Sequence, residues 1–198
     1  TIPDSSQRLL FYLVETLVQT EVGVYVRLHG HGKLFVPHRI SESFTNARDI
    51  IHSGTIDLGL SVEPEGCAYA YFFEVQGLPV LHVFADFDGK GGIDYRETED
   101  LSALSGKRVL LIEDDIQTGQ TLRAVLARIE RFGISELQLF LGNLGTFQNK
   151  SATPSPISRV YPNDGLASIA DQEHAEVEFV EFFRDLCDKY RVFRTPHE

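Results

Sequence analysis

The sequence has few cysteines and no long apolar run. Only two of its 198 residues are cysteine, Cys67 and Cys187, and they do not form a metal-binding spacing. We interpret both as buried free thiols on helices, which is typical of a reducing compartment. No apolar stretch approaches the roughly 20 residues of a membrane-spanning helix, and no basic segment followed by an apolar one opens the chain. The sequence therefore predicts a cytoplasmic protein that does not associate with membranes.

Basic residues are also scarce. Lysine and arginine number 18 against 29 aspartate and glutamate residues, which gives a formal net charge of −11. This balance argues against a general attraction to nucleic acids or to anionic membranes. An anionic ligand would have to be bound by local dipoles and by a divalent cation such as Mg²⁺. With 42% hydrophobic residues and 14 phenylalanines, the chain is expected to fold around a sizeable core.

The first part of the chain is predicted to form two helices with a β-hairpin between them. Leucines and valines recur at i, i+3 and i+4 spacing over residues 4–20, as in an amphipathic helix. Valines alternate with other residues over 22–28, and residues 34–36 resume the pattern after a glycine-rich turn, which favours a hairpin. A short helix is expected over about residues 41–53, ended by Gly54.

After residue 54, strands and helices alternate. This alternation predicts an α/β fold, a parallel sheet flanked by helices, with ligands at the carboxyl ends of its strands. Residues 86–100 are rich in Gly, Asp and Glu and are predicted to be a mobile loop, while 145–166 are predicted to be irregular. The expected strands are 56–62, 79–85, 109–112 and 137–141; the expected helices are 67–76, the one that follows residue 121 and ends at Gly133, and about 171–190.

The stretch from residue 109 to residue 122, VLLIEDDIQTGQTL, is the most informative of the chain. Val109–Ile112 have the composition of a strand buried on both faces. Glu113 and Asp114 follow at the end of this strand, and a polar Thr-Gly-x-Thr loop then leads into an amphipathic helix. Backbone N–H groups at a helix start can bind a phosphate, threonine hydroxyls add donors, and carboxylates can accept bonds from sugar hydroxyls. The combination favours a phosphorylated sugar.

Two other interpretations fit part of this stretch. An apolar run followed by acids also begins the receiver domain of response regulators. That domain needs a second apolar strand that ends in an Asp, but the polar, proline-containing run 151–164 stands at the corresponding place. The second alternative is an ordinary strand–turn–helix unit without a ligand. In that case Thr121 would serve as the N-cap, and the acids would only stabilise the positive end of the helix.

The same residues resemble the motif with which type I phosphoribosyltransferases bind 5-phosphoribosyl-1-diphosphate (PRPP). The resemblance implies transfer of the phosphoribosyl group to a nitrogenous base or related nucleophile, with release of diphosphate and with Mg²⁺ as cofactor. It implies that Glu113 and Asp114 are the catalytic pair, holding the ribose hydroxyls and stabilising an oxocarbenium-like transition state. The 5′-phosphate would be wrapped by Asp115, Ile116, Gln117, Thr118, Gly119, Gln120 and Thr121.

A second loop in such enzymes contacts the diphosphate, and the resemblance places it at Glu63, Pro64, Glu65 and Gly66. Two acidic residues stand here where many members of the family have Lys or Arg, so the alternative of a plain strand-to-helix turn stays open. Lys90 and Arg96 are the nearest cations and would lie in a flexible loop that closes over the diphosphate. Gln117 replaces an Asp that assists deprotonation of the base in some purine-specific relatives, and it cannot act as that base.

The whole chain, residues 1–198, is expected to be one phosphoribosyltransferase-like domain with a core over about residues 56–145. A small hood from 22–40 and 145–198 would recognise the acceptor. The expected partners are PRPP, a small nitrogenous acceptor and a second copy of the chain. Two functions stay open, because the phosphate loop fits both a PRPP-dependent transferase and a non-catalytic protein that binds PRPP or a nucleotide.

Overall fold

A computed structural model describes residues 5–30, 40–143, 156–163, 177 and 179–181, with the side chains of the first helix described from Val14 onward. Short 3₁₀ turns occur at Leu101–Leu104 and Glu130–Phe132. The helices are α1 (Ser5–His29), α2 (Ile40–His52), α3 (Cys67–Glu74) and α4 (Gln120–Ile129). The strands are β1 (Leu58–Glu63), β2 (Val80–Phe87), β3 (Ile93–Glu97), β4 (Arg108–Glu113), β5 (Glu136–Leu141) and β6 (Arg159–Pro162).

The six strands form one sheet in the order β3-β2-β1-β4-β5-β6. All neighbouring pairs are parallel except β2 and β3, which are antiparallel. Ser61 lies opposite Ile112 and also opposite His82, so β1, β2 and β4 end at the same edge of the sheet. The prediction of a parallel sheet flanked by helices is confirmed, and the edge where these strands end is the one at which such sheets bind ligands.

Each face of the sheet carries its own apolar layer. In β4, Leu110 and Ile112 join the layer formed with α1, α2 and α3, while Val109 and Leu111 join the layer formed with α4. All four side chains are fully buried, as expected for a strand covered on both faces. Within the described part of the chain, none of the helices combines the length and the apolar character needed to cross a bilayer.

The predicted hairpin over residues 22–36 is wrong where the structure describes it, because α1 continues to His29. Val14, Val18, Val22 and Val26 are all buried and lie four residues apart on one face of the helix. Val24 is 51% exposed, so the valines that alternate in sequence do not share a face. A pattern that alternates every two residues also places valines four residues apart, which is close to one turn of a helix. The sequence pattern therefore fitted both a strand and a helix. Residues 31–39 lie outside the described part.

The segment 86–100 is not a loop throughout, because β3 pairs with the end of β2 to form a hairpin. The Asp88 carboxylate accepts hydrogen bonds from the backbone N–H groups of Lys90 and Gly92 and so fixes the turn. Alternate residues of β3, Ile93 and Tyr95, pack against the apolar layer on the α4 side. Two apolar side chains at a spacing of two were enough to form a strand within an otherwise polar, glycine-rich sequence.

The region beyond residue 143 is described only in part. Residues 145–166, predicted to be irregular, contain β6, which extends the parallel sheet beside β5. Residues 177 and 179–181 are helical, in agreement with the helix predicted over 171–190, and Phe179 packs edge-on against Phe44. Cys67 is a buried free thiol, as predicted, whereas Cys187 lies outside the described residues.

Candidate functional site

A cleft of about 270 Å³ opens at the carboxyl edge of the sheet. Its walls come from the ends of three strands and from the loop before α4. Glu63 ends β1 and is followed by Pro64 and Glu65, residues 85–87 end β2, Glu113 ends β4, and residues 115–121 form the remaining wall. Most of the residues predicted as site residues are thus brought together. Asp114 and Gly66 do not line the cleft in the described structure, although both are adjacent to residues that do.

The loop 115–121 is held in place by apolar contacts and by Arg123. Ile116 and Leu122 are almost fully buried in the α4-side layer and anchor the loop at both ends. The Arg123 guanidinium donates to the Thr118 carbonyl oxygen at 2.9 Å, a contact that the sequence did not reveal. Gly119 has φ +71° and is the N-cap of α4, so Thr121 is not the cap. The loop therefore leads into the start of the helix, where backbone N–H groups favour an anion, although the Gln120 N–H already donates to the Thr118 hydroxyl at 3.4 Å.

Glu113 is a buried acid at the base of the cleft. The residue is 7% exposed, and its Oε2 atom has no hydrogen-bond partner in the part of the chain described. Burial raises the pKa of Glu113 well above its usual range, and the nearby acids Glu65, Asp114, Asp115 and Glu63 raise it further. A positive charge that arrives beside this carboxyl would oppose the shift and favour its ionised form.

No basic side chain lines the cleft within the described residues, whereas five acidic residues do: Glu63, Glu65, Asp86, Glu113 and Asp115. Arg96 lies on β3 with its guanidinium 4.0 Å from the centre of the Phe84 ring and 3.4 Å from the Asp94 carboxylate. Lys90 is exposed in the β2–β3 turn. The predicted role of these two cations in closing over a diphosphate stays a prediction.

Acidic side chains suit a divalent cation, but they do not form a complete set of ligands here. Among the described residues, no three His, Cys, Asp or Glu side chains converge in a way that could hold a metal ion. Mg²⁺ is commonly bound through one or two carboxylates together with phosphate oxygens of a substrate. Glu65 and Asp115 both line the cleft, and their carboxylates could hold an ion that arrived with a phosphorylated ligand.

The sequence indicated that Glu63 belongs to a loop, but in the structure Glu63 is the last residue of β1. Its side chain is fully buried, and its Oε1 atom lies 2.8 Å from Nδ1 of His82 in the neighbouring strand. Nε2 of His82 lies 3.1 Å from the hydroxyl of Tyr25 in α1. The only signal in the sequence was a lone histidine inside the apolar strand β2, which the sequence patterns did not single out.

Gly66 begins the turn into α3 and has a packing role. A Cβ atom at this position would lie 2.4 Å from the carbonyl oxygen of Ile112 and 2.7 Å from that of Val62. Its N–H donates to the Val62 carbonyl at 2.9 Å. Only glycine allows β4 and the loop after β1 to approach this closely.

Comparisons with known proteins find relatives by sequence and by structure. No family model matches the chain. A hypoxanthine-guanine phosphoribosyltransferase from Cricetulus griseus is 25% identical over 177 residues, covering 78% of each chain. Phosphoribosyltransferase domain-containing protein 1 from Homo sapiens is 50% identical over 105 residues, which are 48% of this chain and 44% of the human protein.

Two solved structures are also similar. A hypoxanthine-guanine phosphoribosyltransferase from Bacillus anthracis aligns with a TM-score of 0.47 and 15% identity, covering 66% of this chain and 83% of the other. A purine phosphoribosyltransferase from Pyrococcus horikoshii aligns with a TM-score of 0.43 and 20% identity, covering 50% and 68%. The sequence relatives of this chain are thus phosphoribosyltransferases or proteins named for that domain.

Proposed function

We propose that this protein is a PRPP-dependent phosphoribosyltransferase, which transfers the 5-phosphoribosyl group to a nitrogenous base or related nucleophile and releases diphosphate. The observation that carries the proposal is the wall formed by residues 115–121. This loop leads into the start of α4 and shares one cleft with the buried acid Glu113 and with the residues that follow β1. A phosphate at the helix start would leave the sugar beside Glu113.

In the proposed reaction, the bond from C1 of the ribose to diphosphate breaks and a bond from C1 to nitrogen forms. Backbone N–H groups of the loop and the hydroxyls of Thr118 and Thr121 would bind the 5′-phosphate. Glu113 and Asp114 would bind the ribose hydroxyls and stabilise positive charge at C1. When bound, Mg²⁺ would neutralise charge on the departing diphosphate. Gln117 cannot accept the proton that the nucleophile loses, so this proton would pass to the released diphosphate or to water.

A second candidate function is a non-catalytic protein that binds PRPP or a nucleotide through the same loop. The acidic lining of the cleft favours it, because Glu65 and Asp86 stand beside the place where a diphosphate would lie. Like charges at such a site weaken the binding of a diphosphate unless cations accompany it. The two candidates therefore make the same prediction for the phosphate loop. They differ in whether the β1 side of the cleft binds and releases diphosphate.

Calorimetric titration with PRPP, with and without Mg²⁺, followed by a diphosphate-release assay across purines, pyrimidines and simple amines, tests the proposal. A transferase binds PRPP with Mg²⁺ and releases diphosphate with at least one acceptor. Binding without release by any acceptor would leave the non-catalytic candidate. Absence of binding to PRPP, ribose 5-phosphate and nucleotides would reject both.

The proposal includes three further expectations, on domain organisation, location and oligomeric state. We propose that the chain is one domain whose terminal segments contribute to acceptor recognition, that it acts in the cytoplasm, and that it forms a homodimer. Light scattering coupled to size-exclusion chromatography gives the mass of the particle, and fractionation of cells gives its location. A monomeric mass or a membrane fraction would contradict the corresponding expectation.

A further inference from the structure

His82 contacts two segments of the chain, of which the one that ends β1 borders the cleft. It lies in β2 and is 3% exposed, on the face of the sheet covered by α1. One segment is the loop of residues 63–66 after β1, and the other is the chain that leaves β3. Neither the proposed phosphate site nor the proposed chemistry uses this histidine.

The main chain of His82 binds the segment after β3. This strand ends at Glu97, opposite Val83. The ladder continues through side chains, because the Thr98 hydroxyl donates to the His82 carbonyl at 2.8 Å and the His82 N–H donates to the Glu99 carboxylate at 3.2 Å. His82 therefore fixes the end of the β2–β3 hairpin.

The ring of His82 binds the end of β1. Nδ1 lies 2.8 Å from the Glu63 carboxylate, with side chains 4% and 0% exposed respectively. Nε2 contacts the Tyr25 hydroxyl at 3.1 Å, and the ring stacks on His29 at a centroid distance of 4.2 Å. Away from water such bonds are strong, and a buried carboxylate that loses its partner is costly to keep in place.

The loop of residues 63–66 is thus fixed at both of its ends. Glu63 is bound to His82, and Gly66 is packed against the Ile112 carbonyl with its N–H bonded to Val62. Glu65 lies between these anchors and faces the cleft near Glu113. The position of the loop wall in the cleft therefore depends on the bond between Glu63 and His82.

We propose that His82 is a positioning residue, which binds Glu63 and thereby fixes the loop of residues 63–66 for the ligand group that occupies its side of the cleft. The proposal rests on the proposed function, in which that group is the diphosphate. Two substitutions separate the two ring contacts. Asn places an amide nitrogen near the position of Nδ1 and can keep the bond to Glu63, whereas Gln places it near the position of Nε2 and keeps only the contact with Tyr25.

The first test needs no ligand. Amide hydrogen exchange is followed by NMR at Gly66, whose N–H is bonded to Val62, and at Ser135, whose N–H is bonded to Lys107 at the other end of the sheet. His82→Gln should accelerate exchange at Gly66 by about ten-fold or more relative to Ser135, because the Glu63 bond is lost. His82→Asn should leave this ratio near that of the wild type. Equal acceleration at both amides, or equal effects of the two substitutions, would overturn the proposal.

The second test separates this proposal from the proposed function. Calorimetry with ribose 5-phosphate probes the phosphate loop and the acids proposed to bind the ribose, whereas PRPP with Mg²⁺ also probes the loop of residues 63–66. His82→Gln should weaken PRPP binding about ten-fold or more while changing ribose 5-phosphate binding less than about two-fold, and His82→Asn should restore PRPP binding. Equal weakening of both ligands would overturn the positioning role. A wild-type protein that binds neither ligand rejects the proposed function, and the exchange ratio then still decides the role of His82.

Discussion

Replacement of Gly119 by valine should abolish phosphate binding without unfolding the protein. Gly119 has φ +71° at the N-cap of α4, in the wall of the cleft. A side chain here is strained by about 1–2 kcal/mol because the left-handed conformation places Cβ against the backbone. It would also keep a phosphate away from the N–H groups of the loop, and each charge-assisted bond lost weakens binding by about ten-fold or more.

Gly106→Val is a matched control for this substitution. Gly106 has φ +69° and lies in the turn before β4, and the nearest atoms are more than 4 Å from the position that a Cβ would take. Both variants should therefore lose stability to a similar extent, about 2–8 °C in melting temperature for a chain of this size. Only Gly119→Val should lose affinity for ribose 5-phosphate in a calorimetric titration. Unchanged affinity in that variant, or equal loss in both, would refute the reasoning.

The remaining predictions concern the acids and the loop after β1. Converting Glu113 and Asp114 together to amides should reduce turnover far more than PRPP affinity, because amides bind hydroxyls but do not stabilise a cationic transition state; equal losses in a steady-state assay and in calorimetry would contradict this. Burial raises the pKa of Glu113 above the value of about 4.3 in an unfolded chain, so the native state retains a proton that the unfolded chain releases. Stability should therefore fall as pH rises above about 4.3 until the native group also ionises, and Glu113→Gln should remove this part of the decline in urea unfolding curves. Gly66→Ala should cost at least about 1–3 kcal/mol of unfolding free energy, since Cβ would lie 2.4 Å from the rigid Ile112 carbonyl, and an unchanged urea midpoint would contradict that.

The central sheet could be predicted from the sequence because the information there is local. Val109–Ile112 is apolar throughout and is buried on both faces, so its composition alone identifies a strand of a parallel sheet. The glycines at 54, 77 and 133 follow helices and have positive φ, as their positions indicated. A loop between β4 and a helix was also predicted, although α4 begins at Gln120 and not after residue 121.

The features that the sequence did not reveal depend on contacts between distant segments. The bond between Glu63 and His82 needs the register that sets Ser61 beside His82, and no pattern within either strand encodes that register. The extent of α1 depends on which valines the core buries, because Val22 and Val26 fit a helix and a strand equally well in sequence. The raised pKa of Glu113 depends on burial and on the negative charge of Glu65, which the fold brings close to it.

The central claim is that the loop 115–121 binds the 5′-phosphate of a phosphoribosyl ligand. An NMR titration of the labelled protein with ribose 5-phosphate tests it most directly, because each backbone N–H of the loop reports separately. We expect saturable shifts of the amide signals of Ile116 to Thr121, with the amides of Gly106 and Ser135 at the opposite edge unchanged. Saturable shifts confined to other parts of the protein, or no shifts at millimolar ligand, would contradict it.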